Sequence, residues 1–320
     1  MMTLTNNTAC AAMLRLVTAT LVAVAAFSAP AAETTAPKTA LKAKAPADAA
    51  DVRVLTCNIR VALTSDTLTG HGWEQRRDAC VQVIHKQKAD IICLQEVLRE
   101  QINDLQKAMP EYAVFGFAGP EMDYEGKEYR LIAKNPIMYN RERFTLLVGG
   151  NYWLSETPLI GGSISWGSAR ARNLSWVRLK DNKTGHEFRV MNTHLDHITQ
   201  QARMKQIELV LKESGQYAAD FPQILTGDFN ANVRNDVIKT VLSSGWTDTW
   251  QAIHGDKDAG FTVHGFLGPA YKPKKVRPYM KIDFVFVRGA VTPVETHIIR
   301  DEVNGVYPSD HYFVSADVKL

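Results

Sequence analysis

The sequence predicts an α/β fold: two packed, mixed β-sheets flanked by helices. Three observations predict it. Short apolar runs with β-branched residues recur along the chain, each of the length of a buried strand. Amphipathic stretches with apolar residues at helical spacing separate several of them. Helices and strands alternate in two rounds, each with an antiparallel section, and two face-to-face sheets covered by helices would bury all of these runs. The 320 residues, 45% hydrophobic and 22% charged, suffice for a large core.

The first residues stand apart from that fold. Arg15, the apolar stretch Leu16 to Phe27 and the small residues Ser28 to Ala32 form a signal-peptide pattern, expected over residues 1–31. Its apolar part is shorter than the roughly 20 residues a membrane span needs, so no stable span is expected. Residues 32–50, rich in Ala, Lys, Thr and Pro, read as a flexible linker. One domain is expected over residues 51–320, in a secreted or periplasmic protein. Three cysteines remain in it, Cys57, Cys80 and Cys93. An odd number leaves at least one free thiol, and the apolar runs around Cys57 and Cys93 favour buried thiols over a disulfide framework.

Val52 to Ile59 is the first strand. Trp73 to Lys88 is an amphipathic helix, Ile91 to Leu94 a second strand, and Leu98 to Met109 a helix stopped by Pro110. This β-α-β start predicts a parallel pair. Strands follow at Pro136 to Tyr139, Phe144 to Leu154, Leu174 to Leu179 and Phe188 to Asn192. Then come a helix over Thr199 to Ser214, a strand over Pro222 to Thr226 and a helix from about Asn235 to Leu242. Strands over Ile282 to Val287 and Tyr312 to Val318 close the chain. Tyr112 to Asp123 and Gly255 to Pro278 are expected as loops over the rim.

The formal charge of +3 is too small to indicate nucleic acid by itself. Two basic clusters, Arg170 to Arg172 and Lys272 to Arg277, read equally well as solvated loops or as contacts to a phosphate backbone.

Polar residues gather where the apolar runs end. Asn58 closes the first strand, opposite in facing to Cys57. Glu96 closes the second, where a carboxylate beside a buried strand needs a partner such as a divalent cation. Asp228 and Asn230 share a face after Leu225-Thr226-Gly227, so an acid and an amide could take a proton from water and hold that water. His194 and His311 could donate to phosphate oxygens, with Asp310 beside His311 and Asp283 opening a strand nearby. Each residue alone also has a structural reading: a turn former, a helix-terminal acid, a buried hydrogen-bonding histidine. Together they are rich in carboxylate and imidazole and lack an obvious Ser or Cys nucleophile, which points to hydrolysis by metal-activated water.

The strings TCNIR, LQEV, NTHLD, LTGDFNA, IDFVFV and PSDH occur in that order over about residues 52 to 320. The chain thereby resembles the endonuclease/exonuclease/phosphatase superfamily, the fold of DNase I, abasic-site endonucleases, neutral sphingomyelinases, inositol-polyphosphate 5-phosphatases and deadenylases. With WLSETP, NTHLDH and T-x-HGF it resembles most a secreted bacterial branch. The resemblance implies a four-layer α/β sandwich. It implies Glu96 as the main Mg²⁺ or Mn²⁺ ligand, with Asp310 and Asn58 near the same ion. It implies Asp228, helped by Asn230, as the group that activates water, His194 and His311 as stabilisers of phosphoryl charge, and Asp283 as the support of His311. Glu128 is the expected partner of His194, although Arg130 to Asn135 separate it from Pro136 as an insertion. Arg172, Trp166 and His264 are expected at the substrate.

The function expected is a metal-dependent phosphoester hydrolase, a monomer acting on a small phosphorylated molecule. A secreted DNase I-like nuclease is the alternative, with Trp166 or Tyr271 stacking on bases. A sphingomyelinase-like enzyme and an inactive binding module follow.

Overall fold

The computed structural model describes residues 51–119, 122, 132–272 and 280–320. The expected leader and linker, Glu128 and all of the second basic cluster except Lys272 lie outside the described residues.

In chain order the elements are β1 (Val52–Asn58), α1 (Thr64–Leu68), α2 (Trp73–Lys86), β2 (Ile91–Gln95), α3 (Arg99–Ala108), β3 (Tyr112–Phe115), β4 (Ile137–Asn140) and β5 (Phe144–Trp153). There follow β6 (Asn173–Asp181), β7 (Glu187–His194), α4 (Gln200–Ser214), β8 (Gln223–Asp228), α5 (Asp236–Ser243), β9 (Thr247–Asp248), α6 (Thr249–His254), β10 (Asp283–Arg288), β11 (Thr292–Ile299) and β12 (Phe313–Lys319). They form two six-stranded sheets, ordered β11-β12-β1-β2-β4-β3 and β5-β6-β7-β8-β10-β9. Both sheets are mixed: β1 runs parallel to β2 and β7 parallel to β8, while the other pairings are antiparallel.

The period-two alternation of the central strands explains the layers. From β1, Leu55 and Cys57 pack with Cys80, Val83 and Ile84 of α2 and Ile102 and Leu105 of α3. Val52 and Val54 point the other way, to Val190 of β7, Ile224 of β8 and Val285 of β10 in the second sheet. The far face of that sheet, with Met191, Leu225, Phe284 and Phe286, packs on Ile207 and Val210 of α4 and Val237 and Val241 of α5. The result is the four-layer α/β sandwich. Thr199 and Asn235 cap α4 and α5, accepting from Ala202 N and Val237 N. The three cysteines are free and buried, and burial pushes the Cys80 and Cys93 thiols up to about 12. No helix among the described residues is long and apolar enough to cross a membrane.

Two expectations need correction. Tyr112 to Phe115, read as loop, is the edge strand β3, paired with β4. β11, absent from the reading, pairs along β12 with a register shift between Pro293 and Glu295. A proline, charges and an exposed outer face blunt such an edge and mute its apolar signal.

Register brings the polar strand ends to one rim. Asn58 is level with Gln95, His194 with Asp228, and Asp228 with Asp283. Beneath them a buried amide pair joins the sheets. Gln95 Nε2 donates to Asn192 Oδ1 (2.7 Å), and Asn192 Nδ2 donates to the carbonyls of Leu94 (2.8 Å) and Pro136 (3.1 Å). Thr226 Oγ1 donates to the same Asn192 Oδ1 at 3.3 Å. Gly227 has φ +148°, and a Cβ there would lie 2.0 Å from Thr193 O, so only glycine lets β8 approach β7 just before Asp228.

Candidate active site

Asp228 is the centre of the rim and almost wholly buried. Its Oδ1 accepts from the backbone N of Asn230 at 2.8 Å. Its Oδ2 accepts from Asn58 Nδ2 at 3.0 Å and lies 3.4 Å from His194 Nε2 and 3.9 Å from His311 Nε2. Asn230 Nδ2 donates to Leu195 O (3.0 Å) and bonds His194 Nε2 (2.9 Å). The carbonyl partner identifies that atom as the amide nitrogen, so Asn230 Oδ1 is left as an acceptor. Across the rim, His311 Nδ1 lies 3.0 Å from Asp283 Oδ2.

Glu96 accepts from Asn58 Nδ2 (3.1 Å) and from Val61 N (2.9 Å). Asp310 Oδ2 lies 3.4 Å from Arg60 Nη1. Backbone strain concentrates here: Glu96 (φ 62°), Arg60 (φ 57°) and Asn230 (φ 47°) all adopt the left-handed region without being glycine.

These groups open on a cavity of about 310 Å³ lined by Glu96, His194, Asp228, Asn230 and His311. Arg60, Arg170, Arg172 and His197 face the same space. The structure thus gathers Asn58, Glu96, His194, Asp228, Asn230, Asp283, Asp310 and His311 at one rim, with Arg172 in the cavity wall. Trp166 and His264 do not line the cavity. Trp166 is half-buried on a turn with φ 57°. His264 is fully buried, stacked on Tyr312 with ring centroids 4.1 Å apart, and its Nδ1 accepts from Gly268 N at 3.1 Å. Its nearness is through the backbone, since His264 N donates to Asp310 O (2.8 Å).

Arg60, Arg76 and His197 were missed in the sequence. Arg76 is buried and donates to the carbonyls of Ile59 (2.5 Å), Arg60 (2.6 Å) and Pro308 (3.0 Å), tying the exit of β1 to the segment before Asp310. In the sequence it is one arginine of a helical face. His197 carries a signal only in hindsight, as the last residue of NTHLDH.

Electrostatics separates the rim groups. Burial raises Asp228 to about 7, helped by Asp283 and opposed by His311 and its own hydrogen bonds. Burial also lowers His194 well below the usual imidazole value, with Arg172 and His311 adding to the shift. His311 moves the opposite way: burial would lower it, but Asp283, Asp310 and Asp228 raise it well above that value. Glu96 stays below the usual carboxylate value because Val61 N–H, His311, Asn58 and Arg60 outweigh burial. Asp310 is raised by burial and by Glu96.

Two groupings could hold a cation. Ligand atoms of Asp228, Asp283 and His311 lie within 4.8 Å of one another. In this set His311 Nδ1 is taken up by Asp283 Oδ2 (3.0 Å), an acid–imidazole pairing that turns Nε2 toward Asp228 Oδ2 (3.9 Å). Glu96 and Asp310 fit better: two half-buried carboxylates on one rim, Glu96 raising Asp310, supply hard oxygen donors for Mg²⁺ or Mn²⁺. Asn58, expected beside them, turns its carbonyl to Arg60 N (3.0 Å) and its amide hydrogens to Glu96 and Asp228. In this arrangement it bridges two carboxylates instead of offering an oxygen to an ion.

The fold is that of a DNase I-like α/β sandwich. The chain belongs to the Endonuclease/Exonuclease/phosphatase family, whose model matches residues 55–311 and whose members hydrolyse phosphoester bonds. It is similar to nocturnin of Drosophila melanogaster, 26% identical over 324 residues; the match takes in 86% of this chain but spans about half (48%) of nocturnin. A solved endonuclease/exonuclease/phosphatase from Bacteroides vulgatus is 30% identical with a TM-score of 0.73, over 84% of this chain and 99% of that one. A mannosyl-6-phosphatase of Bacteroides thetaiotaomicron is 27% identical with a TM-score of 0.74, over 84% of this chain and 100% of its own.

Proposed function

We propose that this protein is a divalent-cation-dependent phosphoester hydrolase of small phosphorylated molecules, with sugar phosphates as the first class to test. The observation that carries this reading is the shared cavity. One space of about 310 Å³ is faced by an acid that can take a proton, an amide oxygen beside it, two imidazoles and a buried arginine. That volume suits a small ligand. The likeness to a mannosyl-6-phosphatase supports the sugar-phosphate class.

A cation held by Glu96 and Asp310 would supply positive charge against the phosphoryl oxygens. Asp228 accepts a proton from the attacking water, and Asn230 Oδ1 orients that water. The new P–O bond forms as the bond to the leaving alkoxide breaks. His311, protonated through its contact with Asp283, donates from Nε2 to a phosphoryl oxygen as charge builds. His194, neutral and bonded to Asn230, holds the amide in place. We also propose export, on the pattern of residues 1–31, which N-terminal sequencing of the protein recovered from its source would check.

The test is phosphate release from hexose 6-phosphates with Mg²⁺ or Mn²⁺, beside DNA, RNA and sphingomyelin. Turnover of a sugar phosphate, abolished by chelator and lost in Asp228→Ala, is expected. Preferred cleavage of polynucleotide would overturn the substrate class. Metal-dependent turnover surviving in Asp228→Ala would overturn the mechanism.

A further inference from the structure

Arg172 is a buried, incompletely satisfied cation at the cavity. It is 8% exposed and faces the cavity. Its hydrogen bond among the described residues is from Nη2 to His197 Nδ1 at 3.1 Å, and its buried Nε has no partner. A desolvated guanidinium with an unmatched N–H favours an anionic oxygen in front of it. His197 completes the same wall. An arginine can only donate, so His197 Nδ1 accepts and its proton sits on Nε2, as a second donor on a cavity-lining ring.

The wall is built before substrate arrives. Asp196, fully buried, accepts from Ala169 N (2.9 Å) and Ser168 Oγ (3.2 Å) with one oxygen. With the other it accepts from Ile198 N (2.9 Å) and Thr199 N (2.7 Å). One carboxylate therefore pins the loop bearing Arg170 and Arg172 to the turn bearing His197. Its own lone pairs are spent on that task, which leaves Arg172 available.

We propose that Arg172 and His197 form a specificity wall that selects phosphate monoester dianions over diesters, an inference that rests on the hydrolase reading above. A monoester held by His311, in line with the water at Asp228, has a further terminal oxygen with negative charge to offer the wall. In a diester that position carries carbon, which brings no charge and leaves the buried guanidinium without an acceptor. Sites built around a hydrogen-bonded group reject analogues that lack it strongly.

The experiment compares kcat/KM for p-nitrophenyl phosphate and bis-p-nitrophenyl phosphate under saturating Mn²⁺. Wild type, Arg172→Met, Arg172→Lys and His197→Ala are used, with thermal melts to confirm folding. Wild type should prefer the monoester. Arg172→Met should cut the monoester-to-diester ratio on the order of 10²-fold, the monoester losing the more, with Arg172→Lys recovering part of it. His197→Ala, at the more exposed end of the wall, should cut it about 10-fold. Calorimetric titration reads the same wall without turnover: inorganic phosphate should bind wild type more tightly than dimethyl phosphate, and Arg172→Met should lose that difference. An unchanged ratio in active, folded variants, or a wild-type preference for the diester, overturns the proposal and leaves the hydrolase reading standing. No metal-dependent turnover of either ester overturns that reading, and the proposal with it.

Discussion

His311 and His194 sit on opposite halves of the rim. One comes from the segment leading into β12, the other from the end of β7, and both are nearly closed to solvent. Burial lowers both. His311 has Asp283 against its Nδ1 and Asp310 and Asp228 nearby, so its proton is held. His194 has Arg172 and His311 as charged neighbours and an amide N–H at Nε2, so it stays neutral. The difference teaches that neighbours, and not depth, set the charge of each imidazole; in the proposed mechanism one carries charge to the phosphoryl group and the other orients.

The sharpest way to break this comparison is Asp283→Asn. An amide in place of the carboxylate removes what keeps His311 charged, and kcat should fall about 10³-fold with KM little changed. Nitrogen NMR of the imidazoles at neutral pH should show His311 losing one of its two protons. An Asp283→Asn enzyme of near wild-type kcat would contradict the assignment.

Asn192→Leu acts below the rim on both halves at once. It removes the side-chain partner of Gln95 Nε2, which keeps Thr56 Oγ1 and Cys93 O, and the amide donor to the carbonyls of Leu94, Asn135 and Pro136, of which Pro136 O keeps Leu94 N. A loss of about 3 kcal/mol in unfolding free energy is expected, read from the urea midpoint. An unchanged midpoint would mean that the amide pair does not hold the sheets together.

Asn230→Ala tests the His194 half. It removes the donor at His194 Nε2 and the oxygen assigned to the water, so a kcat loss of about 10²-fold is expected, smaller than for Asp283→Asn. An equal or larger loss would make the orienting half the dominant one.

The smallest effect is on stability in acid. His264 is lowered by burial from 6.5 to about 4, so below pH 6.5 the unfolded chain binds a proton that the folded one does not. That part of stability is present above pH 6.5 and is lost as pH falls toward 4. His311, raised, contributes in the opposite sense: its share is complete below pH 6.5 and is lost as pH rises through its folded value. Between pH 6.5 and 5 His264, His194 and His197 therefore lower stability, while Asp228, raised to about 7, takes up its proton in the fold first and opposes them. The His264 share is about 2 kcal/mol. Urea melts at the two pH values should show His264→Asn falling less steeply than wild type; identical slopes would contradict the assignment.

The rim was legible because strand ends are. An apolar run that stops at Asn58, Glu96, His194 or Asp228 announces its polar exit in one dimension, and register then brings these ends level. The helices and central strands were legible by the same periodicity, whereas β11 hid its pattern behind an exposed face and Pro293. Arg60 and Arg76 could not be read the same way, since a backbone turn at φ 57° and a set of carbonyl contacts leave no local spacing. His264 misled for a related reason. Its string lies beside the site in space, yet the side chain turns into an aromatic stack. Asn58 was located correctly at the rim, but which end of its amide meets the carboxylates is decided by Arg60 N, a contact made two residues further on.

The central claim is that water, deprotonated by Asp228, attacks phosphorus in the rim cavity. Turnover of a hexose 6-phosphate in ¹⁸O-labelled water, followed by phosphorus NMR of the inorganic phosphate, tests it most directly. The account predicts one labelled oxygen per phosphate released by wild type and no release above background by Asp228→Ala. Label appearing in the sugar hydroxyl, or labelled phosphate formed at the wild-type rate by Asp228→Ala, would contradict it.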